Sequence, residues 1–148
     1  MVLRPPAIYG PGQKANMLRL FEIIERGVPL PFATVINRRS FIHSGNLAGA
    51  IIAAIGNGAT AGTYTLDDIQ ISTPELIRAV AGAIGSKPRL WWCPPSWLRG
   101  FATITGYGDL ARKLTDSLVV ESKIARNKLN WSPDLGFEDA LRKTARWF

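Results

Sequence analysis

Cysteine and histidine are almost absent from this chain of 148 residues, which contains one of each. Cys93 has no partner for an internal disulfide, and we expect it to be a small buried hydrophobe in a reducing, cytoplasmic environment. One histidine, one cysteine and scattered carboxylates provide no set of metal ligands. His43, in the middle of a strand pattern, also offers no Ser/His/Asp triad and is expected to be a packed strand residue rather than a catalytic base.

Long apolar runs and acidic side chains are scarce as well. Gly, Pro or charged residues interrupt every hydrophobic stretch, so the sequence predicts no segment that spans a membrane. Eleven Asp and Glu against 18 Lys and Arg give a net charge of +7. Such a surplus indicates either a nucleic-acid partner or a bound phosphate group. Because the basic residues are spread over several helical patterns, nucleic-acid binding ranks last among three functional hypotheses, and we expect no such partner.

Two motifs of dinucleotide-dependent enzymes are missing from the 148 residues. No G-x-G-x-x-G follows a strand pattern, and Gly106-Tyr107-Gly108 lacks both a long preceding strand and a third glycine at the required spacing. No tyrosine stands in a Tyr-x-x-x-Lys arrangement. The sequence therefore contains no self-contained catalytic constellation.

The pattern that is present alternates between strands and helices, which predicts an α/β fold. Residues 2–9 form a mostly apolar run that predicts one buried strand, and it ends at Gly10-Pro11-Gly12. Ser72-Thr73-Pro74-Glu75 predicts a helix start with a capping box. Asn46 and Ser122 are expected to cap two further helices, and an amphipathic helix is predicted over 137–148.

Several residues are of the type and position that bind anions. Arg38 and Arg39 precede a short strand, and a guanidinium matches a phosphate with two parallel hydrogen bonds. Asn16 stands at a predicted helix N-terminus, where free amides favour negative charge. Arg112 and Lys113 precede a third segment. Each of these residues is, taken alone, more often structural than functional.

Four motifs in chain order carry a resemblance to a known family: Leu3–Gly12, Asn16-Met17, Arg39–His43 and Lys128–Pro133. They resemble, in turn, the strand and loop beyond the catalytic Tyr and Lys, an Asn-plus-apolar pair, an Arg-x-Tyr/Phe-Ile/Val-His stretch and a late Leu-Gly/Asn-Trp-x-Pro element. The chain as a whole resembles the C-terminal half of the extended short-chain dehydrogenase/reductase family. This family comprises NAD-dependent nucleotide-sugar epimerases, dehydratases and reductases.

The resemblance implies roles for individual residues. Arg39 would grip the diphosphate of a UDP-sugar, and Arg112 or Lys113 would lie near a second phosphate contact. Asn16 and Met17 would contact the diphosphate and the base. Further implied contacts come from the segment around Phe32, which would pack beside the uracil, and from the strand that contains Pro5 and Pro6, which would face the nicotinamide cofactor.

The resemblance also implies an architecture: late parallel strands of a Rossmann-type fold plus a small, mostly helical substrate-binding subdomain. Residues 1–148 would be the substrate-binding half, and the dinucleotide-binding half with its catalytic Tyr and Lys would be absent or supplied by a separate chain. NAD or NADP is then expected in the intact enzyme and no cofactor in this chain alone. Asn37–Asn46 and Lys113–Val120 favour the UDP-N-acetyl-hexosamine 4-epimerase and 4-keto reductase branch.

One departure from the family pattern is Ser44-Gly45, where relatives usually carry an acidic or polar residue before the Asn. The alternative hypothesis is a non-catalytic module that binds a nucleotide sugar or another anion. The specific sugar, the direction of the reaction and the choice between NAD and NADP are not encoded in these residues.

Overall fold

The computed structural model describes residues 1–14, 16–56, 61–94 and 115–148. In chain order, the elements are β1 (Val2–Arg4), β2 (Ala7–Tyr9), α1 (Asn16–Glu25), β3 (Arg39–His43), α2 (Ser44–Gly56), β4 (Thr63–Thr65), β5 (Ile69–Ile71), α3 (Thr73–Ala83), α4 (Lys123–Leu129) and α5 (Phe137–Trp147). Strands and helices alternate along most of this order, which confirms the α/β prediction.

The chain forms two compact units, each made of separated segments. The sheet unit comprises Met1–Gln13, Ser40–Gln70 and Val119–Trp147. The helical unit comprises Lys14–Arg39, Ile71–Leu118 and Phe148. Residues 1–148 are thus built from two units, one with parallel strands and one mostly helical.

The sheet unit contains parallel strand pairs. Strand β1 pairs with β4, with Leu3 opposite Tyr64. Strand β2 pairs with β3, with Ile8 opposite Ile42, and β5 lies on the other side of β3. Parallel strands need long crossover connections, and here each crossover includes at least one helix of the chain.

The prediction of one buried strand over residues 2–9 is wrong. Pro5 and Pro6 interrupt it, because proline has no N–H to donate to a strand ladder. The two halves, β1 and β2, pair in different sheets. Neither strand is buried along its length, since Val2 is 51% exposed and Ile8 47% exposed, and only Tyr9 at the end of β2 is buried.

Helices α2 and α4 contribute to the core of the sheet unit, and α4 packs against β4. Ala50 and Ala54 of α2 and Ala125 and Leu129 of α4 are buried there. The other buried members of this cluster are Ile42, Tyr64, Leu66 and Trp131. Small alanine side chains on both helices allow close approach to the strands, which explains the Ala-rich pattern of α2.

The helical unit is organised around the packing of α1 against α3. Leu20, Phe21 and Ile24 form the buried face of α1. The start of α3 is as predicted: Ser72 accepts a hydrogen bond from the Glu75 amide, and the Glu75 carboxylate accepts one from the Ser72 amide. This reciprocal bonding satisfies two backbone donors that a helix end leaves unpaired.

Candidate functional site

Arg38 and Arg39 lie beside the segment Asp116–Leu118 in the helical unit. The Arg38 amide donates to the Ser117 hydroxyl at 3.1 Å, and the Arg38 carbonyl accepts from the Leu118 amide at 2.9 Å. Arg39 Nη1 donates to the Asp116 carbonyl at 3.2 Å. The Arg38 side chain is exposed, whereas Arg39 is only partly exposed. The difference follows the strand alternation that places neighbouring side chains on opposite faces.

The charge state of Arg39 reflects this setting. Burial lowers the pKa of the Arg39 guanidinium below its usual value, and the Asp116 carboxylate raises it again to a smaller degree. Arginine stays protonated at neutral pH under such shifts, so the guanidinium is a permanent, partly desolvated cation. A partly buried cation binds an anion more strongly than a fully solvated one, because the local dielectric is lower.

The surrounding unit is strongly basic. The helical unit contains 11 of the 18 Lys and Arg and five of the 11 Asp and Glu, which gives it a net charge of +6. The sheet unit, with seven basic and six acidic residues, has a net charge of +1. Six of the seven net positive charges of the sequence therefore belong to the unit that contains Arg39.

Three other residues expected to bind substrate lie in the same unit: Asn16, Met17 and Phe32. Asn16 is exposed at the first residue of α1, and Met17 is half-buried. Phe32 is only 6% exposed, so its ring offers little surface to a ligand. Arg112 and Lys113 lie outside the described residues.

The residues expected to face the cofactor belong to the other unit. Pro5 is exposed and Pro6 half-buried, and both stand between β1 and β2 of the sheet unit. The described substrate candidates thus belong to the helical unit, and the cofactor candidates belong to the sheet unit. The roles implied for these residues by the family resemblance stay predictions.

The sheet unit contains a buried polar cluster that the sequence analysis missed. Oδ2 of Asp68 accepts from the His43 amide at 2.7 Å and from Asn46 Nδ2 at 2.8 Å. The Asn46 side chain also donates to the Leu135 carbonyl at 2.9 Å and accepts from the Leu135 amide at 3.0 Å. The prediction that Asn46 caps a helix is wrong: α2 begins at Ser44, and Asn46 joins segments that are distant in sequence.

His43 is a packed strand residue, as expected, and is 4% exposed. Its ring meets that of Tyr9 edge-on, with centroids 5.3 Å apart. Nδ1 accepts from the Gly45 amide at 3.1 Å, so the neutral ring has its proton on Nε2. Burial lowers the pKa of His43, Asp68 raises it to a smaller degree, and Lys143 lowers it.

The pKa values of two other groups in this cluster are raised. Burial raises the pKa of the Asp68 carboxyl, and the hydrogen bonds from the His43 amide and Asn46 partly offset this. Burial, and secondarily the Asp68 charge, raises the pKa of the Tyr9 hydroxyl. Because Tyr9 is 1% exposed, its hydroxyl is not accessible to a substrate in this structure. The hydrogen bonds of the cluster join the end of β3 to Asp68 and to Leu135.

A second acidic residue, Asp67, is held by hydroxyl and amide donors. Its carboxylate accepts from Ser122, from Ser40 at 3.3 Å and from Gln70 at 3.1 Å. The Arg126 guanidinium lies 3.9 Å from the same carboxylate. Ser122 occupies the N-cap position of α4, as predicted, and its carbonyl accepts from the Arg126 amide at 2.8 Å, but its hydroxyl bonds to Asp67 and makes no capping bond to the helix. An open cleft of about 420 Å³ lies next to this network, lined by Gln70, Glu121, Ser122, Lys123, Arg126 and Asn127.

The described parts of the chain contain neither a cluster of metal ligands nor a helix that could span a membrane. Residues 1–14, 16–56, 61–94 and 115–148 contain no group of three His, Cys, Asp or Glu side chains that could hold a metal ion. None of the described helices is both long and apolar enough to cross a bilayer.

Comparison with known proteins places this geometry in context, although no family model matches the chain. A UDP-glucose 4-epimerase of Vibrio cholerae is 33% identical over 153 residues, covering 100% of this chain and 46% of the relative. The homologues of this chain are extended short-chain dehydrogenases/reductases. A ceramide reductase of Caulobacter vibrioides is 29% identical, over 100% of this chain and 50% of the relative.

The fold agrees with solved structures of this family. The UDP-glucose 4-epimerase of Thermus thermophilus, determined with NAD, superposes with a TM-score of 0.69 at 24% identity, covering 98% of this chain and 45% of that one. The match corresponds to the C-terminal half of the Rossmann-type enzymes, as the resemblance implied. The chain spans about half the length of the curated relatives it matches.

Proposed function

We propose that this chain supplies the nucleotide-diphosphate-binding surface of an NAD(P)-dependent nucleotide-sugar epimerase, dehydratase or reductase, with Arg39 as a principal phosphate ligand. The observation that carries the proposal is the match along the whole chain, at 33% identity, to a UDP-glucose 4-epimerase. At that identity over the whole of this chain, we expect the residues that contact the nucleotide diphosphate to occupy the same positions in the two proteins.

The charge distribution supports the same assignment. A UDP-sugar presents two linked phosphates, and the helical unit, with its net charge of +6, provides the complementary field. Within this unit, Arg39 is half-buried and held at one nitrogen by the Asp116 carbonyl. A guanidinium restrained in this way loses little further freedom when it binds a phosphate, which favours affinity.

Catalysis needs residues that are missing from these 148. NAD(P), when bound, accepts and returns a hydride, and the family's tyrosine moves the proton. Pro5 and Pro6 could contact such a cofactor, but no glycine-rich loop is present to hold its phosphates. We therefore expect these 148 residues alone to bind no NAD(P) and to turn over no UDP-sugar, and we infer that a dinucleotide-binding half, in the same polypeptide or in a separate chain, completes the enzyme.

A reductase that acts on a substrate without a nucleotide is the second candidate, favoured by the 29% identity to the ceramide reductase. The two candidates differ at Arg39. A nucleotide-sugar enzyme uses this cation to bind a diphosphate, whereas a substrate without phosphate gives it no such role.

Titration calorimetry with UDP on the 148-residue chain tests the proposal. Arg39→Ala should weaken UDP binding by about 10- to 100-fold, since charge-assisted hydrogen bonds contribute about 1.5–3 kcal/mol each. Arg38→Ala is the matched control. Arg38 is the neighbour of Arg39 and is exposed, so this change removes the same charge and should weaken UDP binding much less. Equal and negligible losses for both variants would contradict the assignment and favour the second candidate.

A further inference from the structure

The Asp116 carbonyl oxygen is shared by two side chains of the helical unit. It accepts a hydrogen bond from Arg39 Nη1 at 3.2 Å and another from Asn37 Nδ2 at 3.4 Å. A carbonyl oxygen has two lone pairs and can accept both. The amide of Asn37 and the guanidinium of Arg39 are thereby linked through one backbone atom.

Both ends of the Asn37 amide are also bonded to Thr73, at the start of α3. Oδ1 accepts from the Thr73 backbone amide at 2.9 Å, and Nδ2 donates to the Thr73 hydroxyl at 3.1 Å. The Thr73 amide belongs to the first turn of the helix, where backbone donors have no partner within the helix. Because Asn37 is 5% exposed, water cannot easily replace these bonds. The amide plane therefore has one favourable orientation, and in it Nδ2 points toward Asp116.

We propose that Asn37 is a positioning residue for Arg39, acting through the Asp116 carbonyl to hold the guanidinium ready for a nucleoside diphosphate. The ligand in this statement rests on the proposed function, whereas the ordering of Arg39 does not. The physical benefit is entropic: a long side chain that is already ordered gives up less rotamer freedom on binding. The helix α3 acts as the rigid reference, and Asn37 transmits its position to a segment that lacks regular secondary structure.

The strand-like contacts of Arg38 offer a competing explanation. Its amide and carbonyl bond to Ser117 and Leu118, so they also fix the segment 116–118 beside residue 38. If these backbone contacts were sufficient, removing the Asn37 amide would leave Arg39 ordered. The two explanations therefore differ in a measurable way, and Ser117→Ala is a control that removes one Arg38 contact and leaves Asn37 intact.

The first measurement needs no ligand. NMR relaxation of the ¹⁵Nε–H group of Arg39 reports the order of its guanidinium, with Arg38 as the internal reference. Asn37→Ala should make Arg39 clearly more mobile and leave Arg38 unchanged, while Ser117→Ala and Asp116→Asn, which keeps the carbonyl, should leave Arg39 ordered. Should Asn37→Ala fail to fold, Thr73→Val removes one anchor of the amide in a nearly isosteric way and should produce a smaller loss of order at Arg39.

The second measurement is a double-mutant cycle on UDP affinity. Asn37→Ala should weaken UDP binding by about three- to tenfold in the wild-type background and by less than about 1.5-fold in the Arg39→Ala background, because directly linked residues are not additive. Uridine, which has no phosphate, should bind equally to the wild-type chain and to the Asn37→Ala variant. An Arg39 guanidinium that stays ordered in both Asn37→Ala and Thr73→Val would overturn the inference, as would equal UDP losses in the two backgrounds. Failure of the wild-type chain to bind UDP would instead contradict the proposed function and leave the NMR result to decide the ordering.

Discussion

The two units of this chain treat their charged residues in different ways. In the sheet unit, Asp67 and Asp68 are bonded to hydroxyl, amide and guanidinium donors of the same unit, and the net charge is close to balanced. In the helical unit, cations outnumber anions by six, and Arg39 is partly exposed. The sheet unit thus uses polar groups to join its segments, whereas the helical unit carries an excess of positive charge. We therefore expect loss of the donors around Asp67 to change stability, and loss of the Arg39 guanidinium to change affinity for an anion.

The largest expected effect is in the sheet unit, at Gly10. Its φ is +143°, and a Cβ there would collide with Ser44 Oγ, so a larger residue is both strained and in steric conflict. Gly10→Val should destabilise the chain by about 3 kcal/mol or more in urea unfolding, since strain and a clash add. Gly12→Val is the control, because its φ of +80° gives strain while nothing lies within 4 Å of its Cβ. Similar losses at Gly10 and Gly12 would show that close packing against Ser44 contributes little.

A smaller difference is expected between two serines that each precede a helix. Ser72→Ala in the helical unit removes a capping bond and should cost about 1 kcal/mol. Ser122→Ala in the sheet unit removes no cap but deprives the buried Asp67 carboxylate of a donor, which should cost about 1–3 kcal/mol. Chemical denaturation of the two variants measures the difference. A Ser122 variant that is as stable as the wild type would mean that Asp67 does not depend on this hydroxyl.

The smallest effect is the pH dependence of stability caused by His43. Its pKa is lowered in the folded state, so the unfolded chain binds its proton first as the pH falls. The contribution of His43 to the free energy of unfolding is therefore fully present above its unfolded pKa of about 6.5. It is lost as the pH falls through its lower pKa in the folded state. Tyr9, Asp68 and Lys143 face the ring, and they are unchanged in His43→Gln.

Thermal unfolding between about pH 7.5 and 5 measures this contribution. The wild-type chain should lose stability below about pH 6.5, and His43→Gln should lose less over the same interval. Asp68, whose pKa is raised, has the opposite sign, because its contribution is present below its unfolded pKa and is lost as the pH rises through the folded value. Since both proteins retain Asp68, the difference between them reports the titration of His43 together with its charge coupling to Asp68, and parallel pH profiles would contradict the assignment.

Features that depend on residues close in sequence could be predicted from the sequence alone. The capping box at Ser72 involves residues three apart, and the α/β alternation follows from local hydrophobic periods. The family resemblance belongs to this group as well, because its motifs are short and appear in chain order. These features need no knowledge of which distant segments meet.

Features that depend on distant residues were decided only by the tertiary structure. Asn46 has the local pattern of a helix cap, but its bonds to Leu135 span 89 positions. Ser122 likewise bonds Asp67 across 55 positions, and Asn37 reaches Asp116 across 79. A polar side chain that caps a helix and one that joins two segments have the same composition and spacing. The choice between these roles is made by burial, because a buried polar group must find its partner wherever the fold brings one within reach.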